Sequence, residues 1–162
     1  MTPRSRDKRP NEPLIENRRA RRSYVIGETL ECGIELRGTE IKSVRDAQVS
    51  IAEGWVRAEE QPLSLTLHGV HIAEYPPAGA NRQHVPDRPR RLLAHKKEIE
   101  KLAQQVRARG ATIIPLKIYF VRGRAKLLVG VGLGKRKADK REDLAKRDAR
   151  RDMDRAMSRR RG

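Results

Sequence analysis

Alternating apolar and polar positions predict a long first strand between Tyr24 and Leu36. Six of the seven even-numbered positions there are apolar, and Glu31 and Glu35 fall between them, which is the period of a half-buried strand. Two further strands are predicted near Ile51 to Ala58 and near Leu63 to Ile72, joined by the turn EEQP. The pattern therefore favours an antiparallel sheet in the first half of the chain.

Helical spacing of apolar residues appears in two segments between the predicted strands. The sequence GTEIKSVR, residues 38–45, predicts a short helix with Thr39 at its N-cap. In HKKEIEKLAQQVRARG, residues 95–110, apolar positions recur at i, i+3, i+4 and i+7. His95 followed three residues later by Glu98 predicts the start of this second helix, and the closing glycine predicts its end.

A β-hairpin is predicted after the second helix. The segments ATIIPLKIYFV and AKLLVGVGL flank VRGRA, and we expect Ile114, Leu116, Ile118 and Phe120 to share one face of it. The chain then reads as three strands, a helix and two more strands. This order is typical of a mainly β fold, an OB-type antiparallel β-barrel with the helix between the third and fourth strands. Such an analogy of fold does not establish function.

The net charge of the chain is large and unevenly distributed. The 38 basic and 21 acidic residues give +17, which indicates a polyanionic partner. Nucleic acid is favoured over a membrane, because no apolar run is long enough to cross a bilayer. Residues 23–79 carry a net charge of −5, whereas the segments on either side are basic, so we expect a binding side and a non-binding side. The single Cys32 fits a reducing cytoplasm.

No catalytic or metal site can be assembled from the sequence. His68 and His71 fall on opposite faces of the predicted strand, and no further ligands complete a metal site. No nucleophile has a base and an orienting partner. Only five aromatic residues are present, which argues against a surface that stacks single-stranded bases. We therefore expect no enzyme, no cofactor and no small-molecule substrate, but recognition of folded RNA through its backbone and shape.

Arginine-rich segments are the candidates for phosphate contacts. The segments ENRRARRS, residues 16–23, and RPRR, residues 88–91, hold arginines that can fork onto phosphates. The first fifteen residues, 1–15, predict a flexible basic arm. Glu31 is expected to face outward, where it is either solvated or accepts hydrogen bonds from base amino groups. The sequence pattern leaves both alternatives open.

The last 29 residues, from Gly134 onward, hold 13 Lys or Arg residues and a thin apolar stripe of alanines and methionines. Asp139 followed by Glu142 predicts a helix cap. Two pairs of opposite charge at i, i+4 add about 0.2–0.5 kcal/mol each: Glu142 with Lys146, and Asp143 with Arg147. Because so little apolar surface can be buried, we expect a basic tail at 134–162 that is disordered when free and helical against a polyanion.

Five segments resemble, in order, the SsrA-binding protein family, also called small protein B or SmpB. They are ENRRARRSY, LECGIELRGTEIKSVR, RPRRLLAHKKEI, IIPLKIYFVRGRAKL and GKRKADKREDLAKRDAR. The resemblance implies an OB-type barrel at 16–133 that binds the tRNA-like domain of transfer-messenger RNA. It also implies delivery of that RNA to stalled ribosomes, where trans-translation tags the nascent chain for degradation. From composition alone, a basic structural protein of the ribosome remains the alternative.

The resemblance also implies which residues make the contacts. On the barrel the matching positions, with the basic segments near them, are Arg18, Arg19, Arg21, Glu31, Lys42, Arg45, Leu93 and His95. In the family the tail enters the decoding centre and the empty messenger channel of the small subunit, where it folds into a helix. The tail positions are Gly134, Lys135, Arg136, Asp139, Lys140, Arg141, Lys146 and Arg147. Ala138 stands where many relatives carry an aromatic residue or His, so stacking is not implied at this position.

Overall fold

The computed structural model describes residues 12–160. The predicted flexible arm, residues 1–15, therefore lies mostly outside the described residues. Its last residue, Ile15, belongs to the short strand β1, Ile15–Glu16, in which it lies opposite Ile118 of a later strand. Ile15 is thus part of the sheet.

A short helix, α1, Ala20–Ser23, leads into the long strand β2, Tyr24–Ile34. The side chain of Asn17 holds the turn before α1. Its Nδ2 donates to the carbonyl of Pro115 at 2.9 Å, and its Oδ1 accepts from the N–H of Ala20 at 3.1 Å. This buried amide fixes where the chain enters the sheet, because it satisfies backbone groups on both sides of the turn.

Helix α2, Gly38–Arg45, forms where it was predicted, but the prediction of Thr39 as its N-cap was wrong. The cap residue is Arg37, whose N–H donates to Glu40 Oε2 at 2.7 Å. Glu40 occupies the third helical position, from which a carboxylate reaches back to the N–H of the cap. The hydroxyl of Thr39 instead lies 2.9 Å from Nδ1 of the buried His84, so it ties α2 to a loop.

The two strands predicted between residues 51 and 72 are each shorter than expected. The elements here are β3, Val49–Ser50, β4, Trp55–Glu60, β5, Leu63–His68, and β6, His71–Ile72. Strands β4 and β5 form the predicted hairpin, whereas β3 and β6 pair only with each other. The break between β5 and β6 falls at Gly69, whose φ of 69° lies in the left-handed region that favours glycine.

Strand β7, Arg90–Leu93, falls where the sequence predicts only a connection rich in proline and arginine. Arg90 and Leu92 are buried, whereas Arg91 and Leu93 are exposed, so the period of a strand is present. It could not be recognised in the sequence because one of the buried positions is an arginine, which is rarely buried unless it is paired. The prediction of three strands before the second helix was therefore wrong.

The second half of the described chain follows the prediction closely. Its elements are α3, Lys96–Arg109, β8, Thr112–Val121, β9, Arg124–Gly134, and α4, Lys137–Arg160. The N–H of His95 donates to Glu98 Oε2 at 2.9 Å at the start of α3, and Gly110 ends α3 with a φ of 60°. Strands β8 and β9 form the predicted hairpin, whose turn places both central residues, Arg122 and Gly123, at positive φ.

Strand β8 changes the face that it buries halfway along its length. The register with β9 steps over Leu116, which is the extra residue of a β-bulge. Ile114 and Leu116 pack with Ala20 in a small hydrophobic cluster, whereas Ile118 and Phe120 lie in the main core. The prediction that these four residues of β8 share one face was wrong, because the bulge reverses the alternation of side chains.

The strands pair in the order β1-β8-β4-β5-β7-β2-β9, and β9 also pairs with β8. The pairings therefore return to β8, and the protein is mainly β with four α-helices among residues 12–160. Helix α3 contributes Ile99 and Leu102 to the main core. Cys32 lies in the same core, where burial, with the nearby carboxylates of Glu98 and Glu31, raises the pKa of its thiol to about 12.

Candidate RNA interface

Four neighbouring strands bring several predicted contact residues onto one outer face of the sheet. Tyr119 of β8 lies opposite Lys126 of β9. Lys126 in turn pairs with Gly33 of β2, and Gly33 pairs with Leu93 of β7. Residues directly opposite each other point to the same side, and Glu31 shares it because it lies two residues before Gly33. These five residues are referred to below as the sheet face.

Glu31 is held in one orientation by Tyr119. Its side chain is exposed, and Oε2 accepts a hydrogen bond from the Tyr119 hydroxyl. Burial raises the pKa of Tyr119, and the hydrogen bond to Glu31 raises it further, so the phenol stays protonated and remains a donor. The ammonium of Lys117 lies 5.6 Å from the centroid of the Tyr119 ring. Glu31 is thus an oriented carboxylate that can still accept other hydrogen bonds.

Leu93 and His95 extend this surface toward the start of α3. Leu93 is 51% exposed, unusual for a leucine in a strand. Gly33, directly opposite, leaves space for it because it lacks a side chain: a Cβ at position 33 would lie only 3.3 Å from the Leu93 Cβ. His95 is exposed two residues later, at the N-cap of α3. The structure thus brings Glu31, Leu93 and His95 to adjoining positions that their sequence numbers do not suggest.

The two basic residues predicted on α2 lie exposed and close to aromatic rings. Lys42 Nζ is 5.3 Å from the centroid of the Tyr75 ring, and the Arg45 guanidinium is 5.9 Å from that of Phe120. Arg45 Nη2 also donates to the carbonyl of Gly123 at 3.4 Å, in the turn of the β8–β9 hairpin. Both cations are therefore positioned by neighbours while remaining accessible to solvent.

The RPRR segment does not supply the phosphate-binding forks that were predicted. Arg88 and Arg90 both turn to Glu40, which is fully buried. Arg88 donates from Nε at 2.8 Å and from Nη2 at 2.5 Å, and Arg90 donates from Nε at 3.0 Å. Arg90 also donates to the carbonyl groups of Val70 and Pro86. Of the three arginines of this segment, only Arg91 is exposed.

The balance of forces on Glu40 favours its ionised form. Burial alone raises its pKa, but hydrogen bonds from Arg88, from the N–H of Arg37 and from Arg90 outweigh this effect and lower the pKa below the ordinary value. Burial lowers the pKa of Arg90, and the Glu40 carboxylate opposes that shift. We refer to Glu40, Arg88 and Arg90 as the buried charge cluster, which joins α2 to β7 behind the sheet face.

The arginines before β2 lie at a different place, beside the start of α4. Arg18 and Arg21 line a cleft together with Lys140 and Arg147 of α4. Arg19 points the other way and forms an exposed ion pair with Glu53, with Nη1 2.5 Å from Oε1. Arg18 and Arg21 thus share one basic region with the tail cations Lys140 and Arg147.

Lys135 fastens the start of α4 to the sheet. Its N–H donates to the carbonyl of Ser23 at 2.9 Å, and its ammonium donates to the carbonyl of Arg21 at 2.8 Å and to the carboxylate of Asp143. The hydrogen bond from Lys135 lowers the pKa of Asp143. Lys135 thus forms a fixed joint between β9 and α4, and its predicted contact with the ribosome stays a prediction.

Two details of the predicted tail helix were wrong. The cap is not Asp139: α4 begins at Lys137, and the N–H of Arg136 donates to Asp139 Oδ2 at 3.3 Å. Asp139 is therefore the acid at the third helical position, where the helix dipole favours it. Asp143 pairs with Lys135 instead of Arg147, because the joint at the end of β9 brings a lysine closer. The other predicted pair, Glu142 with Lys146, is present at 4.0 Å.

The rest of α4 stands away from the sheet. None of its residues is buried, and its larger apolar side chains, Leu144, Met153 and Met157, are all more than half exposed. Gly134, Arg136 and Arg141 are exposed as well. The segment is a helix in this structure, as its helix-capable sequence predicts. That the segment is disordered when the protein is free stays a prediction.

Two other classes of site have no counterpart among residues 12–160. No group of three or more His, Cys, Asp or Glu side chains there could hold a metal ion. His71 Nδ1 lies 2.8 Å from Asp87 Oδ1, and the ring of His68 stacks on Trp55. No helix within the same residues is both long and apolar enough to cross a membrane.

Comparison with known proteins assigns the family of this chain. The family model described as SmpB protein matches residues 14–159. The chain belongs to the SmpB family. The SsrA-binding protein of Roseiflexus sp. (strain RS-1) is 47% identical over 147 residues, 91% of this chain and 92% of that protein. That of Exiguobacterium sp. (strain ATCC BAA-1283 / AT1b) is 49% identical over 150 residues, 93% of this chain and 94% of that protein.

A solved structure is similar as well. Its description reads "tmRNA-SmpB: a journey to the center of the bacterial ribosome", and its sequence is 43% identical to this chain. The similarity has a TM-score of 0.64 and covers 82% of this chain and 94% of the other. The resemblance to the SmpB family found in the sequence is therefore confirmed.

Sequence reasoning missed several residues of the surface of this SmpB family member. Lys117, Tyr119 and Lys126 complete the region around Glu31, and the alternation of β8 and β9 was the signal that could have placed them outward. The bulge at Leu116 disturbs that alternation only in the first half of β8, so it does not affect Lys117 and Tyr119. Asn17 and Glu40 carry no comparable signal, since a buried polar residue is recognised only through its partners.

Proposed function

We propose that this protein binds the tRNA-like domain of transfer-messenger RNA, the SsrA RNA, and delivers it to stalled ribosomes. It thereby enables trans-translation and the tagging of the nascent peptide for degradation. The observation that carries this proposal is its membership of the SmpB family over residues 14–159. Relatives named SsrA-binding protein and a similar structure described as a tmRNA-SmpB complex on the ribosome support it.

The proposal divides the chain into two working parts. Residues 16–133 form an OB-type barrel that holds the tRNA-like domain, an assignment supported by strand pairings that return to β8. Residues 134–162 form a tail that occupies the decoding centre and messenger channel of the small subunit. The protein acts in the cytoplasm by binding and positioning RNA, with no catalytic step of its own.

The sheet face supplies the two kinds of contact that folded RNA requires. Glu31, oriented by Tyr119, accepts hydrogen bonds from base amino groups. Lys117 and Lys126 lie beside it on neighbouring strands and supply positive charge for phosphates, and the α2 cations Lys42 and Arg45 add charge at a separate place on the surface. Leu93 and His95 offer an exposed apolar and an exposed ring surface beside the carboxylate. A carboxylate on a chain of net charge +17 opposes general attraction to RNA, so its contribution must come from a specific acceptor role.

Replacing Glu31 with alanine tests this role. We expect Glu31→Ala to weaken binding of the isolated tRNA-like domain by about 10- to 100-fold, since a hydrogen bond to a charged group contributes about 1.5–3 kcal/mol. We expect His95→Ala to weaken it less. The measurement is the dissociation constant at physiological salt, since affinities for RNA depend steeply on ionic strength.

Glu100→Ala is the matched control, because it removes the same charge from the exposed surface of α3. It should leave the affinity unchanged or raise it slightly, as expected when a negative charge is removed near a polyanion. Unchanged affinity of both Glu31→Ala and His95→Ala would contradict the assignment of the sheet face.

A structural protein of the ribosome is the second candidate, because a net charge of +17 is typical of that class as well. Sucrose-gradient fractionation distinguishes the two. A rescue factor should leave the ribosomal subunits during a high-salt wash, whereas a structural protein should remain near-stoichiometric. The discrete RNA that co-purifies with the protein should then be transfer-messenger RNA rather than ribosomal RNA alone.

The tail should gain helix when it meets a polyanion. Helix α4 buries no side chain among its 24 residues, and helices without tertiary packing are marginal in water. We expect the far-ultraviolet circular dichroism of the full chain, minus that of a chain ending at Arg136, to show less helix than α4 contains. The difference should grow when a polyanion is added. A difference spectrum that is fully helical from the start would contradict the prediction.

A further inference from the structure

A cleft away from the sheet face includes the only tryptophan of the chain. Trp55, at the start of β4, lies directly opposite His68 of β5. The two rings stack with centroids 4.4 Å apart and an angle of 14° between their planes. Trp55 nevertheless remains 44% exposed. His68 therefore covers one face of a large aromatic ring and fixes its orientation, while much of the indole stays open to solvent.

The open part of Trp55 lines a cleft of about 560 Å³. The cleft lies between β4, α1 and the start of α4, and Tyr24 forms part of its wall. Its size matches sites that hold small ligands or a single nucleotide. An exposed, rigid indole in such a cleft is the arrangement on which proteins stack an unpaired base. The scarcity of aromatic residues thus does not exclude base stacking at this one place.

Cations line the same cleft beside the ring. Arg19 and Lys140 both contribute to its walls, and Lys140 has no ion-pair partner among residues 12–160. Arg19 is exposed and pairs with Glu53, which lines the cleft as well, so that three cations, Lys135 included, stand against one carboxylate. A base on Trp55 would therefore place its phosphate within a positively charged rim, which is the combination of stacking and charge that binds an unstacked nucleotide.

The cleft is separate from the sheet face. Tyr24 and Glu31 lie on the same strand, β2, seven residues apart, which corresponds to about 20 Å along a strand. A nucleotide that contacts Glu31 cannot also fill the cleft. Lys135 and Lys140, at the start of α4, form one wall of the cleft. The cleft therefore lies next to the tail, and we expect both to meet the same partner.

We propose that this cleft binds one unstacked nucleotide of the small-subunit ribosomal RNA, with its base on Trp55 and its phosphate near Arg19 and Lys140. The proposal rests on the proposed function, because it assumes that the tail brings the protein to the ribosome. It adds a stacking contact at the base of the tail, beside the cations Lys135 and Lys140.

Two binding measurements with the full chain test the proposal, one with purified small ribosomal subunits and one with the isolated tRNA-like domain. We expect Trp55→Leu to weaken subunit binding about tenfold, the loss of one stacked base, and Trp55→Phe to weaken it much less. Neither substitution should change affinity for the tRNA-like domain. Lys140→Ala is the charge control: it should lower the salt dependence of subunit binding, whereas Trp55→Leu should leave that dependence unchanged.

Intrinsic fluorescence provides a measurement on the unmodified protein, because Trp55 is its single tryptophan. A short single-stranded RNA should quench the emission, whereas a blunt duplex with the same number of phosphates should not. This readout decides the matter even if Trp55→Leu lowers stability through lost packing on His68. Absence of quenching, or unchanged subunit affinity of a folded Trp55→Leu protein, would overturn the proposal. If Trp55→Leu bound the tRNA-like domain more weakly, the nucleotide would not come from ribosomal RNA, and the proposal would be wrong. If the wild-type chain did not bind the tRNA-like domain at all, the proposed function would be wrong instead.

Discussion

Removal of residues 137–162 is expected to abolish tagging on stalled ribosomes while leaving binding of the tRNA-like domain intact. The cut leaves Lys135 in place, with its bonds to Ser23 and Arg21, so the end of β9 keeps its structure. Helix α4 contributes no buried residue, and the melting temperature should therefore hardly change. Tagging in a reconstituted translation system and RNA affinity are the two measurements, and tagging should fall to background.

A proline within α4 separates the need for a helix from the need for charge. Ala149→Pro keeps every charge but costs about 3 kcal/mol of helix stability in the middle of the segment. Ser158→Pro, in the last turn, is the matched control. We expect Ala149→Pro to lose most tagging and Ser158→Pro to retain it. If truncation at residue 136 removed binding of the tRNA-like domain, the division between sheet face and tail would be wrong.

Glu40→Gln is expected to destabilise the fold by about 3–5 kcal/mol, the usual cost of leaving a buried charge without its partner. Glu40 is fully buried, and Arg90 is 1% exposed, so the guanidinium of Arg90 would keep its charge in a site without a counterion. This is a large part of the total stability of a domain, about 5–15 kcal/mol. The measurement is the free energy of unfolding in urea.

Two variants control for this effect. Glu35→Gln removes an exposed carboxylate near the same helix and should change stability by less than about 0.5 kcal/mol. Combining Glu40→Leu with Arg90→Met replaces the innermost pair by apolar side chains, which should recover much of the loss, since such exchanges are often neutral. Equal stability of Glu40→Gln and the wild type would show that the buried charge cluster is not the tie between α2 and β7.

The same cluster should make stability depend on pH at the acid end. The pKa of Glu40 is lower in the folded protein than its ordinary value of 4.5, so its contribution is fully present above pH 4.5. That contribution is lost as the pH falls through the folded pKa, because the unfolded chain then binds more protons. Below pH 4.5, the melting temperature of the wild type should therefore fall more steeply with decreasing pH than that of Glu40→Gln. High salt should preserve the difference, since it screens exposed ion pairs, such as Glu28 with Lys101, far more than a buried carboxylate.

Local periodicity was sufficient for the elements whose signals lie within a few residues of each other. Strand β2, helix α3 with its closing Gly110, and the β8–β9 hairpin follow from spacing and from the conformational freedom of glycine. The helical capability of the tail and the basic character of the surface are also properties of the sequence alone. The resemblance to the SmpB family depends on the same contiguous segments, and comparison confirmed it.

Features that depend on a distant partner could not be recognised in this way. Arg90 reads as a phosphate-binding residue until Glu40, fifty positions earlier, is placed against it. The bulge at Leu116 is invisible without its neighbour strand, and it decides that Ile114 and Ile118 pack on opposite sides of β8. Trp55 reads as one more residue in a strand until His68 covers one of its faces.

The sequence by itself thus determined the class of the molecule: a mainly β, strongly basic protein of the SmpB family with a helix-capable tail. Tertiary structure alone decided which charges are available. It pairs Arg88 and the buried Arg90 with Glu40, commits Lys135 to Arg21 and Asp143, and leaves Glu31 exposed and oriented. The physical reason is that a formal charge is a property of one residue, whereas its accessibility and protonation depend on burial and on hydrogen-bond partners that only the fold brings together.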